Sequence, residues 1–145
     1  MRMGFLGIAP LLIAGLVGLS RDFNVARIAM QGFAIYAAVL LSFLGGIRCG
    51  FELMRAPQEP NALRLFFSAI PALAGWALAL LVIAIPGALG AASAFAGLFA
   101  AQYMWDQRSA SVGAPDWYPL LRQVLTGGVM IACLLAPLTD LLHRL

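Results

Sequence analysis

Residues 36–52, YAAVLLSFLGGIRCGFE, form an oily run that ends abruptly in charge. After the Gly45-Gly46 pair comes Arg48, and Glu52 follows one helical turn later. Extended back to Ile28, the uncharged stretch to Ile47 would rise roughly 30 Å as a helix, the thickness of a bilayer's hydrocarbon core. That length places Arg48 at a membrane edge. Ala34, Ala38, Ser42 and Gly46 recur every fourth residue and make a smooth stripe that another helix backbone can approach closely.

The rest of the chain has the same character. Hydrophobic residues make up 63% of it and charged residues 10%, with a mean hydropathy of +0.94. A soluble domain is about 25% charged and would need far more polar surface than this chain can supply. In lipid, backbone polar groups must be satisfied within helices or a closed barrel. The apolar runs are long and lack period-two alternation, so an all-α bundle is expected. The length fits one transmembrane domain, residues 1–145.

Five spans are expected, at about residues 3–19, 28–51, 63–85, 88–105 and 116–142. The first follows Arg2 and lacks an A-x-A-like cleavage site before Arg21, so it reads as an uncleaved span. Asp22 or Asn24 can cap the second helix. Pro57 and Pro60 close the loop from Leu53 to Asn61, with Asn61 as cap of the third helix. Ser68, Ala72, Gly75 and Ala79 form a second small stripe there, and Pro71 should weaken that helix near its start. Pro86-Gly87 turns the chain into the fourth segment, where Gly90, Ala94 and Ser93, Gly97 stand at four-residue spacing. The stretch DQRSASVGAP, 106–115, reads as a polar loop. Asp116 then caps the fifth segment, which tolerates Pro119 in its first turn and carries Gly128, Ala132 and Ala136 as a third stripe.

All nine basic side chains are arginines, and the net charge is +3. Five spans divide the arginines six to three: Arg2, Arg48, Arg55, Arg64, Arg108 and Arg122 against Arg21, Arg27 and Arg144. The richer side should be cytoplasmic, which puts the N-terminus inside and the C-terminus outside. Tyr103, Trp105, Trp117 and Tyr118 fall at the same inner edge. The arginines make no basic stripe, so no nucleic-acid partner is expected. Cys49 and Cys133 belong at different depths, which disfavours a disulfide.

No aspartate, glutamate or histidine lies well inside a span, unlike proton pumps and ion-coupled transporters. Tyr36, Ser42, Ser93 and Thr126 can bond helix carbonyls. The single histidine is His143, and neither zinc spacing nor a paired nucleophile and base occurs. No catalytic residue, metal site or cofactor is expected. The candidate site is an inner-edge polar cluster: Arg48, Glu52, Arg64, Asp106, Asp116, Trp117 and Arg122. Arg48 should find a carboxylate, either Asp106 or Glu52, since a guanidinium–carboxylate fork strengthens as the dielectric falls. The same residues also suit ordinary interfacial anchors.

SFLGGIRCG, SAIPALAGW, WDQ and PDWYPLLRQVLT together resemble a family of uncharacterised multi-span membrane proteins. It is widespread in proteobacteria and includes the animal mitochondrial transmembrane protein sixty-nine. The resemblance is clearest from about Tyr36 to Leu125 and implies a multi-pass protein of the bacterial inner membrane, with no established activity. The family commonly has a His-Trp pair where this chain has Arg48-Cys49, so no imidazole chemistry transfers to that position. Two functions follow as expectations. One is a non-enzymatic accessory or assembly component that packs with other membrane subunits in the bilayer. The alternative is a binder or transporter of a small anionic ligand or lipid headgroup at the cytoplasmic edge.

Overall fold

The structure, a computed structural model, describes residues 2–55, 57–85, 89–109 and 118–144. Five α-helices account for almost all of them: α1 (Arg2–Gly18), α2 (Phe23–Arg55), α3 (Ala62–Ala84), α4 (Ala94–Ser109) and α5 (Tyr118–Arg144). A short 3₁₀ segment, Leu89–Ser93, leads into α4. No strand occurs among the described residues. The expected turn at Pro86-Gly87 lies outside them.

Capping chemistry sets two of the helix starts. Asp22 Oδ1 accepts from the backbone N–H of Asn24 at 2.8 Å and of Val25 at 3.3 Å, so α2 begins at Phe23, well before its hydrophobic run. Asn61 Oδ1 accepts from Arg64 N–H at 3.2 Å and opens α3. Pro10, Pro71 and Pro137 all lie within helices.

Two helices outrun the segments read from hydropathy. α2 continues to Arg55, past the expected loop start at Leu53. α4 continues to Ser109, so Asp106 belongs to a helix and not to a polar loop. The physical reason is the same in both. Apolar composition marks where a helix crosses lipid, whereas a helix persists beyond that point wherever its polar residues find partners.

The helices stand in a ring in chain order, each against its neighbours, with α5 closing onto α1. Small residues permit the closest approaches. A side chain added at Gly45 would collide with the Ser68 carbonyl of α3, and one at Gly75 would come within 3.2 Å of Ala38 Cα on α2. On the other side, Gly128 of α5 receives Ile8 of α1, and Gly15 of α1 receives Leu135 of α5. Much of the stripes on α3 and α5 is therefore consumed inside the bundle, whereas the expected α2 stripe is split: Ala34 and Ala38 turn inward, Ser42 and Gly46 are exposed, and Gly45 makes the close contact.

The centre of the ring is filled by Leu11, Met30, Phe33, Leu41, Phe95, Phe99 and Cys133, all fully buried. Phe33 and Phe95 meet edge to face at 6.5 Å, joining α2 to α4 across the core. Tyr36 donates to the Gly7 carbonyl at 3.0 Å, tying α2 to α1. The outside carries large apolar side chains, including Ile13, Phe43, Trp76, Leu80 and Leu134. Among the described residues, three helices are long and apolar enough to cross a membrane: α2, α3 and the stretch Tyr118–Leu138 of α5.

Candidate functional site

Helix register brings the candidate charges to the ends of α2, α4 and α5, where they divide into two groups. The first centres on Asp106. Its Oδ2 accepts a hydrogen bond from Arg122 Nε at 2.7 Å. Arg122 Nη2 lies equally close to that oxygen, so two guanidinium nitrogens face the carboxylate. Arg48 Nε approaches Oδ1 at 3.4 Å, and Gln102, one turn back on α4, donates to Oδ1 at 3.4 Å. Arg122 is 3% exposed and Asp106 4%, so the pair is withdrawn from water and its attraction is little screened. Removing one member of such a pair strands the other charge, which is why this contact fixes the relation of α4 to α5.

Arg48 is the link from that buried pair to the surface. Its guanidinium carbon stands 5.0 Å from the Trp105 ring centroid, within range of a cation–π attraction. Trp105 in turn packs on Phe67 of α3 at 5.4 Å, and Phe51 meets Tyr118 edge to face at the same spacing. Three aromatic contacts thus surround the charged group and limit water access to it.

The second group centres on Glu52, which is also buried. It accepts from Asn61 N–H at 3.2 Å, from Arg55 Nη2 at 3.4 Å and from Arg64 Nη1 at 3.4 Å. These bonds fasten the turn after α2 to the first turn of α3. Arg55 and Arg64 are exposed, so solvent screens their share of the attraction.

Of the candidate residues, Arg48, Asp106 and Arg122 come together, while Glu52 and Arg64 form the separate latch. Asp116 and Trp117 lie outside the described residues. Arg48 and Glu52, four residues apart on α2, serve different groups: Arg48 turns to Asp106 and Glu52 to Arg64. Gln102 joins the first group although the sequence reading did not name it, and Tyr118, expected only as an edge aromatic, packs beside it on Phe51. The Gln102–Asp106 spacing of four residues is the signal that could have found Gln102. Ser42 bonds the Ala38 carbonyl at 2.9 Å as a membrane serine should, but Thr126 Oγ1 is buried with no hydrogen-bond partner. Among the described residues no group of three or more His, Cys, Asp or Glu side chains could hold a metal ion.

An apolar ring of helices, three of them long enough to span a bilayer, with its charges gathered at helix ends, defines a multi-pass membrane protein of the helical-bundle class. The chain belongs to the family described as "Protein of unknown function (DUF3429)", which it matches over residues 1–138. It is 32% identical over 134 residues to Transmembrane protein 69 of Xenopus tropicalis, a match covering 86% of this chain and 47% of that protein. The chain therefore spans about half the length of that relative. No solved structure matches it.

Proposed function

We propose that the protein is a non-catalytic component of a bacterial inner membrane, crossing it five times and working as an accessory to other membrane subunits. The observation that carries this reading is the outward face of α4. Ala94, Gly97 and Ala101 share its exposed side, and a side chain at Gly97 would meet open space. The outward faces of α1, α3 and α5 carry bulky side chains: Ile13 and Leu16 on α1, Leu73, Trp76 and Leu80 on α3, Ile131, Leu134 and Leu138 on α5. Lipid chains pack well against bulky faces, whereas a smooth face suits the close approach of another helix.

Lengths support the five crossings. The 3₁₀ segment and α4 follow one another without a break over 21 residues, 5 and 16 in turn, which together have a contour of about 34 Å. α1 has 17 residues and rises about 26 Å, enough for a slightly thinned bilayer. The arginine distribution supports an inside N-terminus.

Purification at native expression in a mild detergent, followed by mass spectrometry, tests the accessory role. One partner in fixed stoichiometry is expected, lost in Gly97→Leu and kept in Leu80→Ala. A monodisperse protein with no reproducible partner overturns the reading.

A further inference from the structure

Beside the Asp106–Arg122 pair, a cavity of about 220 Å³ opens between α1, α2, α4 and α5. Its walls are almost wholly apolar: Ile8, Leu40, Leu44, Phe99 and Val129 are among them. Two polar side chains interrupt this lining, Arg122 and Thr126, one turn apart on α5. They are 3% and 8% exposed; Arg122 Nη2 stands 2.7 Å from Asp106 Oδ2, whereas Thr126 Oγ1 has no hydrogen-bond partner among the described residues. Native proteins leave few buried hydroxyls unmet, and one on an otherwise apolar cavity wall marks a place where something else supplies the acceptor.

We propose that this cavity holds an acyl chain of a bilayer glycerophospholipid, with an ester carbonyl accepting from the Thr126 hydroxyl. Four features select that occupant. The cavity reaches the outer surface of the bundle, because Phe43 lines it and is 62% exposed. On a membrane-spanning bundle that surface faces lipid. Thr126 stands one turn in from Arg122 at the charged end of α5, and the wall continues to Val129, about 10 Å along the helix from Arg122. A carbonyl at the edge with a chain running inward matches that order. Finally, the Arg122 charge is already met by Asp106 at 2.7 Å. The unmet group is the neutral Thr126 hydroxyl, which calls for an acceptor and not an anion. A free fatty acid would bring a second carboxylate beside Asp106 in a low dielectric, whereas an ester is neutral.

Water is a poorer tenant. An ordered buried water needs two to four polar partners, and apolar cavities of roughly 150 Å³ stay dry and take up hydrocarbon. The site is also separate from the α4 face that carries the accessory reading, so either can fail without the other.

The test measures lipid retained by the full chain through detergent exchange, by native mass spectrometry and by extraction with headgroup and fatty-acid analysis. Wild type should keep one glycerophospholipid per protein. Thr126→Val keeps the side-chain shape and removes one donor, so it should release that lipid about fivefold more readily, the worth of one neutral hydrogen bond. Leu40→Trp fills the cavity and should abolish retention, while Leu73→Ala on the outer face of α3 should leave it intact. Thermal unfolding of Thr126→Val confirms that the bundle is folded. Retention of a free fatty acid overturns the proposal, and so does wild type that keeps no lipid or Thr126→Val that keeps as much.

Discussion

Arg122 Nε meets Asp106 Oδ2 at 2.7 Å with almost no solvent around either residue. The two stand on different helices across the segment 110–117, so this contact is a direct tether between α4 and α5. Asp106→Ala should lower stability by about 3–5 kcal/mol, because Arg122 would remain buried without its carboxylate. Glu59→Ala, on an exposed residue, should leave the melting temperature unchanged. The double variant Asp106→Ala/Arg122→Ala should cost clearly less than the sum of the two single changes. Thermal unfolding in one detergent measures all four, and simple additivity would show that the pair is not coupled.

Neighbouring glycines on α2 should behave in opposite ways. A methyl group at Gly45 collides with the Ser68 carbonyl, backbone that cannot yield without separating α2 from α3. Gly45→Ala should therefore destabilise by about 1–3 kcal/mol or more. At Gly46 a methyl group meets nothing. Gly46→Ala should leave stability unchanged or raise it by up to about 1 kcal/mol, through helix propensity alone. Equal effects at the two sites would contradict the close α2–α3 contact.

Much of this arrangement was legible in the sequence, and the parts that were not share a cause. The helical bundle and the pairing of Arg48 with a carboxylate, expected as Asp106 or Glu52 and found as Asp106, follow from run length and from the cost of a lone charge near lipid. Hydropathy located the oily middle of α2 but not its start, because the Asp22 cap acts through backbone N–H groups that carry no apolar signal. It ended α4 too early, because Asp106 and Gln107 look like loop residues until Arg122 and Arg48 arrive from other helices. The separation of Arg48 from Glu52 depends on which helix lies at which side of α2, and one chain's periodicity does not contain that. Thr126 was read as satisfied by its own helix, and only its three-dimensional surroundings reveal the unmet hydroxyl.

Arg48 acts as a planar cation and not merely as a positive charge. It lies between Asp106 at 3.4 Å and the Trp105 ring at 5.0 Å. Arg48→Lys keeps the charge but loses the flat guanidinium that can stack and donate sideways together. A loss of about 1 kcal/mol is expected, and it should shrink when Trp105→Leu is already present. Arg48→Lys with no measurable cost in either background would reduce the aromatic contact to coincidence.

Orientation in the membrane is accessible through α2 alone. Its 33 residues rise about 50 Å, and a hydrocarbon core takes up roughly 30 Å of that. The surplus must emerge as helix on one or both sides, and both ends have exposed residues, Val25 at the start and Met54 at the finish. Arg48, Arg55 and Arg64 gather at the Met54 end, which the positive-inside rule assigns to the cytoplasm. In a Cys49→Ser/Cys133→Ser background, Met54→Cys in intact cells should resist a membrane-impermeant thiol reagent and react once the cells are opened. Val25→Cys should react in cells whose outer barrier alone is permeabilised. The reverse pattern would invert the bundle and set the buried Asp106 group at the outer face. Reaction of both sites from one side would mean that α2 does not cross the bilayer, and the multi-span arrangement of the whole ring would fall with it.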